Sequence, residues 1–316
     1  MAFNTLGMNG NESYITTLST TLLMGDNSNN SSTDSEGKRK DICSSCNMHS
    51  FKILFNNERI CDLQGNQAID IIILILTSHK NRQQREAIRK TWLTYAKNNT
   101  ANVRYAFLLG FTYDKTIRLT TYDEAKKYND IIIEDFIDSY GNLTHKSMMA
   151  FRWATEFCSH ATFVLKIDDD MWLNVPSLLA STQNHNKVLQ NGVGGKYKSS
   201  QGPMRHGKWR ASYKNYPNKL YPAFCAGPGY VTSMGVAKKI FDISKHVPFF
   251  HLEDVYIGLC VQKLNLKIYG LKGFNNRKVR YDPCLYKSQK VVTSHHVTPK
   301  ELLEIWSTNC SQTVKP

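Results

Sequence analysis

The 316-residue chain contains no run of eighteen apolar residues, so no segment of it reads as a membrane-spanning helix. Its longest apolar stretch, Ile69–Leu76 interrupted by Asp70, has the length of a strand. Heptads, collagen triplets and repeats of about 20–50 residues are missing too, which excludes coiled coils, fibres and solenoids. Acidic residues are few: 26 Asp and Glu face 40 Lys and Arg, a formal charge of +14. The basic residues are dispersed and no nucleic-acid motif accompanies them, which argues against a nucleic-acid reader. Hydrophobic residues make up 41% and aromatics 11%, enough to bury a core and too much for an intrinsically disordered protein.

Eight cysteines are present, with sequons at Asn11, Asn29, Asn30, Asn98, Asn142 and Asn309. Together they point to the secretory pathway, with disulfides and N-linked glycans. Asn142 is the first choice of glycan site and Asn98 the second. Cys43-Ser-Ser-Cys46 lacks the second cysteine or histidine pair of a zinc ribbon and the strand–helix setting of a redox motif. A structural disulfide is expected there, and Cys260 is expected to pair with Cys284.

Residues 1–68 read as a flexible leader or stem, rich at first in Asn, Ser, Thr and Gly. From 69 to 316 the texture changes to that of a folded domain. Strand-like runs (Ile69–Leu76, Val103–Leu109, Asp130–Glu134, Thr162–Asp168) alternate with helix-like stretches (Arg82–Tyr95, Tyr122–Lys127, Thr144–Phe157, Val175–Asn184). That alternation predicts an α/β fold, Rossmann-like, with a mainly parallel sheet covered on both faces. Beyond residue 190 the pattern becomes irregular and loop-rich.

Lys166-Ile-Asp-Asp-Asp170 follows the apolar strand Phe163–Leu165. Strand alternation sends Asp168 and Asp170 one way and Asp169 the other. Three carboxylates at a strand end call for a cation, and oxygen ligands suit Mn²⁺ or Mg²⁺ together with a diphosphate. Arg85 and Arg89 share a helix face after the first strand, and arginine forks match phosphate. Glu253-Asp254 open a helix, where one carboxylate could serve as a general base or simply answer the helix dipole. Gly227 and Gly229, flanked by Phe224 and Tyr230, suit close approach of a sugar face in a glycine–aromatic loop. His295-His296 could lend an imidazole to a metal.

In this order the chain carries Arg85-Glu-Ala-Ile-Arg-Lys-Thr-Trp92, Phe107-Leu-Leu-Gly110, Asp130–Tyr140, Asn142-Leu-Thr-His-Lys146, Lys166–Asp170, Gly227–Val231 and Glu253–Gly258. The series resembles glycosyltransferase family 31, the β-1,3-galactosyltransferases and β-1,3-N-acetylglucosaminyltransferases, over residues 69–307. The resemblance implies a GT-A fold and Mn²⁺-dependent inverting transfer of a hexose from a UDP-sugar to an acceptor 3-hydroxyl. It places Asp168, Asp170 and His295 at the metal, and Arg85, Arg89, Lys146, Asp168 and Asp169 around the donor. Asp254 becomes the base, with Trp209, Gly227, Gly229, Tyr230 and Glu253 on the acceptor side. Pro228 departs from the family's small or polar residue. A Golgi type II protein acting on glycoprotein or glycolipid is implied, although the sequence shows no anchor segment. The competing expectation is a catalytically inactive glycan or nucleotide-sugar binding protein of the same fold.

Overall fold

A computed structural model describes residues 49–310 apart from 64 and 66, together with Cys46. Its strands are β1 (Ile53–Phe55), β2 (Ile71–Leu76), β3 (Val103–Phe111), β4 (Ile131–Ile137), β5 (Phe163–Asp168), β6 (Trp172–Leu173), β7 (Gly192–Lys198), β8 (Phe224–Ser233), β9 (Lys267–Gly270) and β10 (Thr293–Ser294). The α-helices are α1 (Arg82–Lys90), α2 (Lys115–Tyr128), α3 (Leu143–Phe157), α4 (Val175–Asn184), α5 (Asn186–Leu189), α6 (Met234–Ser244), α7 (Glu253–Lys263), α8 (Pro283–Lys287) and α9 (Pro299–Ser307). None among the described residues is long and apolar enough to cross a membrane.

The expected α/β architecture is observed. Eight strands form one sheet in the order β1-β4-β3-β2-β5-β8-β7-β9. β2 lies parallel between β3 and β5, and all six of its residues are buried. A strand covered on both faces has no need of alternating polarity, which is why it reads as continuous Ile and Leu. Ile72, Leu74 and Leu76 join a core with α3, α6 and α7, while Ile71, Ile73 and Ile75 join one with α1 and α9. Chain order runs outward from β2 through β3 to β4, then returns to β5 on its other side. Such a reversal opens a crevice at the strands' carboxyl ends, where ligands of open α/β sheets bind.

Three features depart from the sequence reading. The described residues from His49 to Ala68 are part of the domain: β1 pairs antiparallel with β4, and Cys61 is bonded to Cys158. Short, weakly patterned segments of this kind are ordered by docking on an edge, which local composition does not reveal. Cys284 bonds Cys310, not Cys260, which is buried within α7. Cys46 is disulfide-bonded, while Cys43 lies outside the described residues. Finally, the glycine–aromatic segment is not a loop but the ten-residue strand β8, antiparallel to β5 and β7. Its pairing with β7 breaks between Cys225 and Tyr230. Pro228, which has no N–H to give a ladder, sits in that break.

Candidate active site

The carboxyl edge of β2 and β5 separates the three aspartates. Leu76 is in register with Asp168, so Thr77 and the loop to α1 face the triplet. The Asp169 carboxylate accepts from Thr77 Oγ1 at 2.5 Å and from Asn81 Nδ2 at 2.8 Å. Burial pushes its pKa up to about 6 despite these bonds, with Asp170 and Asp168 adding to the rise. Asp168 accepts from Lys166 Nζ at 2.7 Å. Asp170 lies 3.1 Å from His295 Nε2 and 3.3 Å from His296 Nδ1.

Strand geometry ends at Asp168, so Asp170 does not point with it as expected. Antiparallel pairing of β6 with β10 delivers the histidines instead, and Val297 N donates to Asp170 O at 2.9 Å. One carboxylate oxygen and two imidazole nitrogens, from Asp170, His295 and His296, lie within 4.8 Å of one another. His295 Nδ1 faces the Asn276 carbonyl at 3.2 Å, a bond it can make only by donating, which leaves Nε2 aimed at Asp170. These three side chains can hold a divalent metal. Asp168 is not in that set, being held by Lys166.

Lys166 joins this edge to α7. Its ammonium is buried and donates to Asp168, to the Gly227 carbonyl at 2.6 Å and to Glu253 Oε1 at 3.1 Å. Burial disfavours its charge, but Asp168 and Glu253 outweigh burial and raise its pKa. Glu253 also accepts from Ser147 Oγ at 3.1 Å and Tyr230 Oη at 3.0 Å. Burial pushes its pKa to about 7, and Lys166 only partly opposes the rise. Glu253 and Tyr230 are therefore internal partners rather than acceptor-side groups. Gly229 is likewise inside, its backbone in register with Ile167.

Asp254 is half-buried beside them in the first turn of α7. Its Oδ2 accepts from Gly227 N at 3.2 Å and its Oδ1 from Val255 N at 2.9 Å. Burial raises its pKa against those two bonds. The break in β8 frees Gly227's N–H and carbonyl for Asp254 and Lys166. A Cβ on Gly227 would stand 2.6 Å from Glu253 Oε1, so the close approach demands glycine. At the rim, Trp209 is 52% exposed and donates from Nε1 to Tyr140 Oη at 2.9 Å.

A family model described as Galactosyltransferase matches residues 83–272. The chain belongs to the galactosyltransferase family. Beta-1,3-galactosyltransferase 1 of Mus musculus is 38% identical over 265 residues, covering 83% of this chain and 79% of that protein. Beta-1,3-galactosyltransferase 5 of Homo sapiens is 36% identical over 241 residues, covering 75% and 77%. Among solved structures, the apo WbbM bifunctional glycosyltransferase matches with a TM-score of 0.41 and 10% identity, over 79% of this chain and 51% of that one. The galactosyltransferase LgtC with donor and acceptor sugar analogues matches at 0.38 and 12%, over 76% and 98%. As a member of this family the chain is a glycosyltransferase, built on the expected α/β fold with a mainly parallel sheet.

Within this galactosyltransferase-family chain, two arginines expected at the donor are committed elsewhere. Arg85 is fully buried, forks onto Glu124 at 2.9 and 2.6 Å, and braces the edge from behind by donating from Nη1 to Ser78 O at 2.6 Å and Thr77 Oγ1 at 3.3 Å. Arg89 forks onto Asp130 at 2.7 and 2.8 Å and reaches Glu124 at 2.8 Å. They share a helix face, as their spacing predicts; that it packs against α2 and not an open anion depends on tertiary contacts. Replacing one partner of a buried pair costs about 3–5 kcal/mol, roughly 10 °C in a domain of this size. Arg89→Met is therefore expected to melt near that much lower while the KM for the sugar nucleotide shifts only a few-fold. A raised KM with an unchanged melting temperature would return Arg89 to the donor site.

Lys146 is placed at the edge, donating to Thr77 O at 2.6 Å and Asp138 Oδ1 at 2.7 Å. Lys166, Thr77, Asn81 and Tyr140 were not picked out from sequence. Lys166 had a visible signal, a cation in an otherwise apolar strand on the face of Asp168. Of the sequons, Asn98 is exposed, whereas Asn142 is half-buried with Nδ2 donating to Ile137 O at 2.8 Å. That bond makes Asn98 the more accessible of the two.

Proposed function

We propose that this enzyme moves galactose, or N-acetylglucosamine, from a UDP-sugar to the 3-hydroxyl of an acceptor sugar with inversion, in the Golgi lumen. The supporting observation is the Lys166 ammonium, which at 2.7 and 3.1 Å ties the Asp168 edge to the helix turn that presents Asp254. Two acidic centres with different duties thus share one crevice. The relatives named beta-1,3-galactosyltransferase support the linkage and favour galactose.

Asp254 is the general base. An acceptor hydroxyl titrates far above neutrality, so its proton must leave as the oxygen attacks the anomeric carbon. Two backbone N–H groups fix the Asp254 carboxylate, so little reorganisation is needed. Attack on the face opposite the departing diphosphate inverts the anomeric centre. A cation held by Asp170, His295 and His296 would offset charge on that diphosphate. Two imidazoles in the donor set suit Mn²⁺ better than Mg²⁺, which prefers oxygen.

The test is a screen of UDP-sugars with Mn²⁺ against simple β-linked acceptors. Turnover abolished by EDTA is expected. Asp170→Asn should lose Mn²⁺-dependent UDP binding in calorimetry with its melting temperature nearly unchanged. UDP binding with no turnover of any sugar would mark an inactive nucleotide-sugar binder. Undiminished UDP affinity in Asp170→Asn would overturn the metal assignment.

A further inference from the structure

Charge is unevenly spread along the chain. Residues 171–241 contain no Asp or Glu, although the whole protein has 26. Seven Lys and Arg side chains fall between residues 196 and 219. A solvated surface ordinarily mixes both signs.

The centre of this stretch is an ordered loop. Arg210 N donates to Gly207 O at 3.1 Å, and Ala211 N to Met204 O at 2.8 Å. Arg205 Nη1 clamps the carbonyls of Ala211 at 2.8 Å and Tyr216 at 2.9 Å. Gly207 takes the turn with φ +78°, which disfavours other residues. The clamp leaves Lys208, Trp209 and Arg210 exposed. Among the described residues neither Lys208 nor Arg210 is ion-paired with a carboxylate.

This triplet is fastened at the rim of the crevice. Trp209 is bonded to Tyr140, and Lys208 Nζ stands 4.3 Å from the centre of the Tyr140 ring. Tyr140 lies two residues after Asp138, whose carboxylate takes Lys146 at the Thr77 edge of the crevice. The loop's anchor is thus on the Tyr140 side of the crevice. An exposed indole between two cations suits a sugar ring that bears an anionic substituent.

We infer that the acceptor is an anionic glycan, bearing a sulfate or a carboxylate near the accepting sugar, and that Lys208 and Arg210 read that group. The inference builds on the transferase reading but is tested apart from it. A like-signed rim concentrates such an acceptor and discriminates against neutral ones. Exposed ion pairs contribute little each, so two of them give a preference of about 3- to 20-fold at low salt, shrinking as ions screen them.

The experiment compares one neutral oligosaccharide with its singly sulfated and its uronic-acid-bearing counterparts. Binding is measured by calorimetry, and kcat/KM wherever turnover occurs, at two salt concentrations. The parent should favour an anionic form, and the Lys208→Gln/Arg210→Gln variant should bring the anionic-to-neutral ratio close to one. The two anionic arms separate sulfate from carboxylate as the group read. Equal binding of neutral and anionic forms by the parent overturns the inference, whether or not transfer is seen. So does a ratio untouched by the double variant. Binding of phosphatidylserine vesicles through the same two residues, without glycan discrimination, would reassign the patch to a membrane surface. Transfer to the neutral acceptor alone leaves the enzyme reading standing and sinks this one.

Discussion

Asp254→Asn is expected to lower kcat by about 10²–10⁴-fold, the range of a general base, while UDP still binds with Mn²⁺. Asparagine keeps the size of the side chain and one of the two oxygens that accept from Gly227 N and Val255 N, its amide nitrogen standing at the other. What it loses is the ability to take a proton. A group needed only as the hydroxyl attacks should weaken turnover far more than donor affinity. Glu253→Gln separates the roles of the two neighbours. The Glu253 carboxylate is buried against Lys166, Ser147 and Tyr230, so its neutral replacement should register in stability and in the aim of α7. Steady-state kinetics with calorimetry of UDP binding decide the matter. A kcat within a few-fold of the parent would mean that Asp254 only answers the helix dipole, and another carboxylate of the crevice would have to be sought.

Lys166→Met should lose about 3–5 kcal/mol of stability, because it leaves Asp168 and Glu253 without their shared cation. In a domain of this size that is on the order of 10 °C in the melting temperature. The loss should depend on pH with a definite sign. Glu253 has a folded pKa near 7 against 4.5 when unperturbed, so its protonated form favours folding. Its contribution is complete below 4.5 and fades as pH rises through the folded value. Without Lys166 that value climbs further, so the variant keeps losing stability where the parent has levelled. The gap in melting temperature should widen between pH 6 and pH 8.5. A constant gap, measured by thermal unfolding across that range, would mean that Lys166 does not compensate Glu253.

Local patterning was enough to read the sheet and to single out the acidic groups at its edge. Ile71–Leu76 is apolar throughout because both faces are covered, and that alone distinguishes a central parallel strand. Asp168–Asp170 after an apolar strand, and Glu253-Asp254 at a helix start, are adjacent in sequence, so spacing carried them. Long-range closure decided the rest. His296 joins Asp170 because β10 pairs with β6, a contact between segments more than a hundred residues apart. Arg85 and Arg89 face α2 and not a ligand because Glu124 and Asp130 arrive from elsewhere in the chain. Cys284 finds Cys310 through the packing of α8 on α9. A side chain's type is written in the sequence, but its partner is chosen by which strands pair. The same arginine fork binds a phosphate or an internal carboxylate according to what the fold brings within 3 Å.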